Sequence, residues 1–311
     1  MRRGTYLFFA IALIVSSASA QRPDKQRVRT VTIPISIFTK KELRDKQPEE
    51  FVQAEQLIVR EDKEQQEILS IRSVSTTPLS IAFLIQEDLT SNFNLQIKDI
   101  QDFIRDLPSG TRVLVAYMRS GGIEMRQRFT DDLDRAARSL RIVSGSAAFA
   151  PRSPYDSLDD VLGRFDAVPT GRRAVLLFSD GVDTTQGLNL ASVTQSFDLE
   201  RAILKAQRKG VAVYSFYSPT ALTDDRGSIL VLGGQGALEK LAEETGGRAF
   251  ANGSIAPVSF MPFFRDMVLA LNRQFALTYL STHMKKGYHK VQVQSTNPEV
   301  KIEHPSGYYY R

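Results

Sequence analysis

An almost uninterrupted apolar run constrains the fold of this chain more than any other feature. It covers residues 79–88 (LSIAFLIQED) and breaks abruptly into polar residues at its end. A strand buried on both faces of a parallel sheet has this pattern, because helices cover both of its faces. A second such run, residues 173–183 (RAVLLFSDGVD), also ends in acidic residues. Since doubly wound sheets bind ligands beyond the carboxyl ends of their strands, the two strands are predicted to bring carboxylates to one shared rim.

From residue 79 onward, segments with strand spacing alternate with segments in which apolar residues recur at helical spacing. The predicted helices cover residues 94–107, 131–140, 155–165, 198–209, 236–244 and 262–274, and the further strands cover residues 111–118, 123–129 and 211–217. The strand at 123–129 is predicted to be an antiparallel edge strand, and the glycine-rich residues 233–236 a turn into the next helix. Strands that alternate with helices predict an α/β fold, a doubly wound, mostly parallel sheet with helices on both faces.

Short β segments flank this α/β unit on both sides. They cover residues 28–38, 56–59 and 68–74 before it, with charged residues 60–67 as a turn, and residues 275–280, 288–294, 300–304 and 307–310 after it. Residues 28–77 and 275–311 are predicted to pack as one small β-sandwich into which residues 78–274 are inserted, because domain termini often lie close together. Two independent β modules are the competing arrangement, but the C-terminal segment is too short to bury a core alone.

The N-terminus has the pattern of a secretory signal peptide at residues 1–20. Arg2 and Arg3 precede an apolar stretch, and small residues precede a cleavage site between Ala20 and Gln21. A retained N-terminal anchor is the alternative. No later segment approaches the roughly 20 apolar residues of a membrane helix. The sequence therefore predicts an exported protein, periplasmic or extracellular, without an integral span after cleavage, whose remaining segment 21–77 begins the mature chain.

Charge and cysteine content narrow the functional classes. The formal net charge is +5, and removal of the two arginines of the leader leaves +3, with the charges well mixed. Such a balance argues against a dedicated nucleic-acid-binding protein. The chain has no cysteine, so neither disulfides nor a lipidated N-terminal cysteine can stabilise or anchor it.

Three short motifs resemble the von Willebrand factor A (VWFA) domain, in the bacterial, acidobacterial-type VWFA-related family of exported proteins. In that family the first strand ends in Asp-x-Ser-x-Ser, a Thr precedes a Tyr-Asp-Ala-Leu-like segment, and a later strand ends in Ser-Asp-Gly. Here Gln86, Asp88 and Thr90 stand at the first motif, and residues 179–181 (SDG) match the last. Before residues 155–158 (YDSL), the position of the Thr is taken by Arg152, or by Ser153 after a one-residue slip.

The resemblance implies a degenerate form of the family's metal-ion-dependent adhesion site. In an intact site, hydroxyls and carboxylates hold Mg²⁺ or Mn²⁺, and an acidic residue of the partner completes the shell. Our favoured hypothesis is that the guanidinium of Arg152 replaces the cation and pairs with Asp180 or Asp88. Two alternatives stay open. Arg152 points into water while the aspartates cap turns, or Asp88, Thr90 and Asp180 still hold Mg²⁺ or Mn²⁺.

Sequence motifs of common enzymes are missing. The histidines, at positions 283, 289 and 304, have no zinc-helix spacing and are predicted to be solvent-exposed strand residues. There is no Gly-x-Ser-x-Gly segment and no cysteine nucleophile. An acid/base set built from the rim carboxylates is the enzymatic alternative, and it would use Glu87, Asp88, Asp180 and Asp183.

The sequence therefore predicts a non-enzymatic module without a cofactor. Its partner is predicted to be a protein or a cell-envelope polymer, bound at the rim through the residues that stand at the degenerate adhesion site. These residues are Gln86, Asp88, Thr90, Arg152, Ser153 and Asp180.

Overall fold

A computed structural model of the chain describes residues 28–39, 57–74, 77–120, 122–185, 196–223, 229–253 and 257–310. The predicted signal peptide at residues 1–20 and its cleavage site after Ala20 lie outside these ranges. Within them, no helix is both long enough and apolar enough to cross a bilayer.

The elements follow one another in the alternating order that the sequence predicts. The strands are β1 Arg29–Thr39, β2 Leu57–Glu61, β3 Glu64–Ser73, β4 Leu79–Gln86, β5 Arg112–Arg119, β6 Gly122–Thr130, β7 Arg172–Ser179, β8 Ala212–Tyr217, β9 Ala249–Phe250, β10 Gln274–Ser281, β11 Gly287–Ser295, β12 Val300–Glu303 and β13 Gly307–Tyr310. The helices are α1 Ile97–Arg105, α2 Leu133–Arg138, α3 Pro154–Arg164, α4 Phe197–Lys209, α5 Ile229–Thr245 and α6 Met261–Asn272.

A six-stranded sheet forms the centre of the α/β unit. Its strand order is β6-β5-β4-β7-β8-β9, and all neighbours are parallel except the edge strand β6. One apolar core lies between this sheet and α1, α2 and α6, and a second lies against α3, α4 and α5. Every residue of β4 and β7 is buried because helices cover both faces. The predicted doubly wound α/β fold is confirmed.

The flanking strands form a second, antiparallel sheet of seven strands, ordered β12-β1-β10-β3-β2-β11-β13. Strands from the two chain ends are interleaved in it, since β1 pairs with β10 and β2 pairs with β11. The prediction was a sandwich of two facing sheets, but the structure has one curved sheet. The pairing of β10 with β3 joins strands β12, β1 and β10 to strands β3, β2, β11 and β13. The curvature brings β11 near β12, where the Val293 N–H donates to His304 Nε2 at 3.2 Å.

The turn between β2 and β3 is tighter than predicted. It consists of Asp62 and Lys63, both with positive φ (49° and 77°), rather than of residues 60–67. Two-residue hairpin turns with positive φ at both positions match the right-handed twist of the strands. As a result β3 begins at Glu64, and Glu61 becomes the last residue of a buried strand.

The predicted turn at residues 233–236 is wrong, because these residues lie inside α5. Gly234 contacts the loop that follows β7 so closely that a Cβ there would lie 2.1 Å from the Asp180 carbonyl oxygen. The glycines therefore permit close packing of a helix against this loop, at the helix-propensity cost that glycine carries.

The expectation of solvent-exposed histidines is also wrong for His289, which is 4% exposed. In β11 every second residue faces the core, and His289 shares that face with Val291 and Val293. A strand with one buried face alternates in this way, so the position of His289 within β11 decides its burial.

Candidate functional site

The carboxyl ends of β4 and β7 lie side by side, as their parallel pairing requires. Gln86 bridges them. Its amide oxygen accepts hydrogen bonds from Ser179 Oγ (2.5 Å) and from the Asp180 N–H (3.3 Å), and its Nε2 donates to Asp88 Oδ1 (3.1 Å). All four side chains are buried. The two strand ends predicted to share a rim are thus joined by one neutral amide.

The Asp180 carboxylate is satisfied by two donors. Oδ1 accepts from the Val182 N–H at 3.1 Å, and Oδ2 accepts from Thr220 Oγ1 at 2.7 Å. Thr220 follows β8 and forms an isolated bridge with Leu89, which brings the loop after β8 against the end of β4. Thr220 is not among the residues predicted for the rim, although it closely follows the buried strand β8, as the predicted rim residues follow β4 and β7.

Thr90 and Ser153 also lie at this rim but do not bind Asp180 directly. The Thr90 N–H donates to the Pro219 carbonyl at 2.9 Å, next to the Leu89 bridge. Ser153 Oγ donates to Asp183 Oδ2 at 3.2 Å, and Ser196 donates to the same oxygen. The Ser153 position therefore contributes to a second hydrogen-bonded group, centred on Asp183, in the loop after β7.

The expected pairing of Arg152 with Asp180 or Asp88 is wrong. Arg152 is exposed, and no ion pair of the described residues includes it. Its backbone is held instead, since its carbonyl oxygen accepts from the N–H (2.8 Å) and the hydroxyl (2.9 Å) of Thr184. This anchoring leaves the guanidinium in solvent, while the Asp180 carboxylate is already satisfied by uncharged donors.

A different arginine forms the ion pair at the rim. Arg141 donates to both carboxylate oxygens of Glu87, at 3.0 and 2.7 Å, and also to Glu124 at 2.9 Å. The Arg141 guanidinium lies 4.3 Å from the centroid of the Tyr117 ring. Glu87 is 3% exposed, and it also accepts from the Ser144 N–H at 3.1 Å. This bidentate pair fixes residues 141–145 over the ends of β4 and β5.

Burial dominates the electrostatics of the two aspartates. It raises the pKa of Asp180 to about 6, against hydrogen bonds from Val182 and Thr220 that lower it, and the charge of Asp88 adds to the rise. Burial also raises the pKa of Asp88, with a further contribution from the charge of Glu87. The two carboxylates thus disfavour being ionised together at the rim.

The raised pKa of Asp180 predicts a pH dependence of stability. Because its folded pKa lies above the unfolded value of 3.8, the folded chain binds the additional proton, and this group lowers stability as pH rises from about 4 through about 6. The unfolding free energy of Asp180→Asn minus that of wild type should therefore increase by about 2 to 3 kcal/mol from about pH 4 to about pH 7. Urea unfolding of both proteins at the two pH values measures this gain. An equal difference in unfolding free energy between the two proteins at both pH values would contradict it.

The rim residues fit Mg²⁺ or Mn²⁺ poorly. Such ions take oxygen ligands in near-octahedral geometry, and each hydrogen bond that a carboxylate oxygen accepts leaves one lone pair fewer for the ion. Here the Gln86 amide donates into Asp88, and both oxygens of Asp180 accept hydrogen bonds. Neither aspartate is among the described residues whose buried polar atoms lack a partner. Asp88 Oδ1 and both oxygens of Asp180 are thus already engaged by donors of the protein itself.

Large cavities lie at the other end of the parallel strands. One of about 430 Å³ is lined by residues such as Thr77, Arg172 and Gly210, which precede or begin β4, β7 and β8. Another of about 650 Å³ is lined by Arg112 at the start of β5 and by Arg128 near the end of the antiparallel β6. Neither of these two cavities lies at the rim.

The fold and the rim together define an α/β protein whose polar side chains at the sheet edge are hydrogen-bonded to one another. Solved structures resemble this protein in part. The von Willebrand factor type A structure from Catenulispora acidiphila aligns with a TM-score of 0.46 at 11% identity, covering 84% of this chain and 76% of that chain. BatB from Bacteroides thetaiotaomicron aligns with a TM-score of 0.43 at 13% identity (62% and 98%). Manganese-loaded TRAP protein from Plasmodium vivax aligns with a TM-score of 0.41 at 11% identity (80% and 97%).

No protein-family model matches the sequence, and the search of the curated proteins found no match. The likeness to the solved structures is partial.

Proposed function

We propose that this chain is an exported, non-enzymatic protein that binds another protein through the loops at the carboxyl ends of its parallel strands, without a metal ion at that rim. The N-terminal leader pattern supports export, and the motif resemblance to VWFA domains supports a rim used for binding. The observation that carries the proposal is a set of large apolar side chains exposed on the rim loops.

These exposed side chains come from several loops of the rim. Ile142 and Phe149 lie in the segment that Glu87 and Ser120 hold by hydrogen bonds, and they are 66% and 37% exposed. Leu222, in the loop that supplies Thr220, is 42% exposed, and Leu95, in the turn after β4, is 76% exposed. We call Leu95, Ile142, Phe149 and Leu222 the apolar rim residues. Exposed apolar side chains that form a contiguous patch are typical of a protein-binding surface, and we infer that these four, on loops of one rim, form such a patch.

The chemistry of these residues favours a protein over a hydrated polymer as the partner. Aromatic and arginine side chains are enriched at protein interfaces. Phe149 carries the Arg119 guanidinium 4.4 Å from its ring centroid, and the exposed guanidinium of Arg152 lies on an anchored backbone. The buried carboxylates then act indirectly, because Glu87 and Asp180 hold the loops that present these side chains.

The rim chemistry also supports a non-enzymatic role. Ser179 donates to the Gln86 amide, which cannot act as a general base. The rim hydroxyl groups of Ser153 and Ser196 donate to Asp183, whereas His289 lies in the seven-stranded sheet and His283 lies beside it, in the connection between β10 and β11. Among the described residues, the rim thus has no serine–histidine pair to support nucleophilic catalysis.

Replacement of two apolar rim residues should abolish most of the binding. We expect the variant Phe149→Ser with Leu222→Ser to capture its partner from envelope and culture fractions at least about tenfold less well than wild type, since a few buried apolar anchors carry most of an interface's energy. Quantitative affinity capture followed by mass spectrometry measures this. Leu69→Ser is the matched control, because Leu69 is 46% exposed on β3 of the other sheet. Equal capture by all three proteins would place the interface elsewhere.

The same capture, performed in Mg²⁺ and in EDTA, distinguishes the metal-dependent alternative. Equal recovery in both buffers supports a metal-independent rim. Recovery that disappears in EDTA and returns with Mg²⁺ or Mn²⁺, but not with Zn²⁺, would favour a cation held by Asp88, Thr90 and Asp180. Capture of a polysaccharide instead of a protein would refute the proposed partner class.

A further inference from the structure

A buried carboxylate in the seven-stranded sheet has one oxygen without a hydrogen-bond partner. Glu61, at the end of β2, is 0% exposed. Its Oε1 accepts from Ser281 Oγ at 2.9 Å and from the Tyr308 hydroxyl at 2.7 Å, whereas its Oε2 accepts no hydrogen bond, although the Tyr279 hydroxyl interacts with the same carboxylate. A buried, unpaired carboxylate oxygen costs free energy unless a donor or a cation satisfies it.

The adjacent His289 presents a ring nitrogen to this carboxylate. His289 Nε2 lies 2.7 Å from the Lys285 carbonyl oxygen, which can only accept, so Nε2 carries the hydrogen. In the neutral ring Nδ1 is then a lone-pair donor, and it faces Asp62 Oδ2 at 2.8 Å and Glu61 Oε1 at 3.4 Å. A lone pair that faces two carboxylates requires a proton or a metal ion among them. A backbone carbonyl on the second nitrogen is the usual support of a metal-binding histidine.

The distances from Glu61 to the two histidines suit a tetrahedral metal ion, whereas His289 Nδ1 and Asp62 Oδ2, 2.8 Å apart, would have to separate by about 0.5 Å to share it. Zinc ligands lie about 2.0 to 2.2 Å from the ion, which places neighbouring ligand atoms about 3.3 to 3.6 Å apart. One ligand atom from each of Glu61, Asp62 and His289 lies within 4.8 Å of the others. His283 Nδ1, which has no hydrogen-bond partner, lies 3.5 Å from the same Glu61 Oε1. Both histidine distances to Glu61 exceed a normal hydrogen bond but match the edge of such a tetrahedron.

We propose that Glu61, Asp62 and His289 bind a divalent transition-metal ion of the zinc class, with His283 as a candidate fourth ligand. Imidazole and carboxylate ligands together suit Zn²⁺, whereas Mg²⁺ prefers oxygen ligands alone. The Arg29 guanidinium lies 3.5 Å from Glu61 Oε1, on the oxygen that already accepts two hydrogen bonds. Both oxygens of the Glu61 carboxylate are therefore candidate ligands, Oε1 because of its distances to the two histidines and Oε2 because it accepts no hydrogen bond.

The site would connect the two ends of the chain. Asp62 and His289 are 227 residues apart in sequence, one in the β2–β3 turn and the other on β11. A bound ion would join the N-terminal and C-terminal flanks of the seven-stranded sheet, in a chain that has no disulfide to do so. Metal binding to the folded form would then stabilise the sheet by mass action.

Metal titration of the full chain tests this proposal. After chelator treatment and dialysis, the protein should bind one Zn²⁺ per chain by calorimetry and give the visible absorption of tetrahedral Co²⁺. Asp62→Asn and His289→Ala should each weaken Zn²⁺ at least about tenfold. Asp62→Asn keeps the positive-φ turn that Asn tolerates, so its fold should be retained, as circular dichroism would check.

Two control variants separate this site from other carboxylates. Glu67→Gln changes an exposed acid on β3, and Asp180→Asn changes the rim, and neither should alter Zn²⁺ affinity. Absence of stoichiometric Zn²⁺ binding by wild type would overturn the proposal in favour of a protonated His289. Undiminished binding by both Asp62→Asn and His289→Ala would overturn it as well, by placing the ion elsewhere. None of these outcomes bears on the rim, which belongs to the other sheet.

Discussion

Arg141→Ala is expected to lower the free energy of unfolding by about 3 kcal/mol or more. The substitution leaves Glu87, which is 3% exposed, without the guanidinium that neutralises both of its oxygens. Removal of one member of a buried ion pair typically costs about 3 to 5 kcal/mol, because the remaining charge stays desolvated. The loss also removes the stacking on Tyr117, whose hydroxyl donates to the Arg141 carbonyl at 2.6 Å. Urea unfolding at neutral pH, followed by circular dichroism, measures the change.

Arg126→Ala is the matched control for this prediction. Arg126 binds Glu124, the carboxylate that Arg141 also contacts, but its side chain is 42% exposed. Exposed pairs of this kind contribute about 1 kcal/mol or less. If the two variants lose similar, small amounts of stability, the Arg141–Glu87 pair does not hold residues 141–145 as described. Because that segment carries Ile142 and leads directly to Phe149, Arg141→Ala should also weaken partner capture, whereas Arg126→Ala should not.

Gly234→Ala is expected to destabilise the chain by about 2 to 3 kcal/mol, although alanine is the better helix former. The new methyl group would lie 2.1 Å from the Asp180 carbonyl oxygen and 3.2 Å from Val182 Cγ2. Two backbone segments meet at this point, so relief requires α5 or the loop after β7 to move. From the other side, a Cβ on Gly181 would lie 2.3 Å from the Gly234 carbonyl oxygen, and Gly181 has a φ of 73°. Thermal and urea unfolding measure the loss.

A second helical glycine offers a control of opposite sign. Gly163 lies in α3, and a Cβ there would meet only Lys205 Nζ, at an ordinary 3.8 Å. Gly163→Ala should therefore stabilise the chain by up to about 1 kcal/mol through helix propensity alone. If Gly234→Ala stabilises the chain as well, the contact between α5 and Asp180 is looser than the structure indicates. Displacement of the Asp180 loop should also change the pH dependence that Asp180 contributes.

Much of the α/β unit could be predicted from local patterns. In β4 and β7, apolar and polar residues do not alternate because both faces of each strand are covered. Such a pattern can be recognised in the sequence without knowledge of the partner strands. The shared rim followed from the same logic, since parallel strands bring their carboxyl ends to one edge. Where the pattern failed, at residues 233–236, a contact with Asp180 outweighed the local preference of glycine for a turn.

The choice of partner at the rim could not be predicted in the same way. Arg152 and Arg141 both stand in loops that approach the strand ends, and the motif position favoured Arg152. The structure places Arg141 on Glu87, 54 residues away in sequence, and anchors only the backbone of Arg152. Ion pairing depends on the path of each loop across the sheet edge, and no local periodicity encodes that path.

The amino-acid sequence alone determined the order of helices and strands, the doubly wound sheet, and the gathering of carboxylates at the ends of β4 and β7. These depend on which residues avoid water, and the spacing of such residues is visible along the chain. Only the tertiary structure decided that Gln86 bridges the rim, that Arg141 rather than Arg152 pairs there, and that Glu61 meets His289 inside the second sheet. Those contacts join residues far apart in sequence, so their energies depend on strand order and loop path.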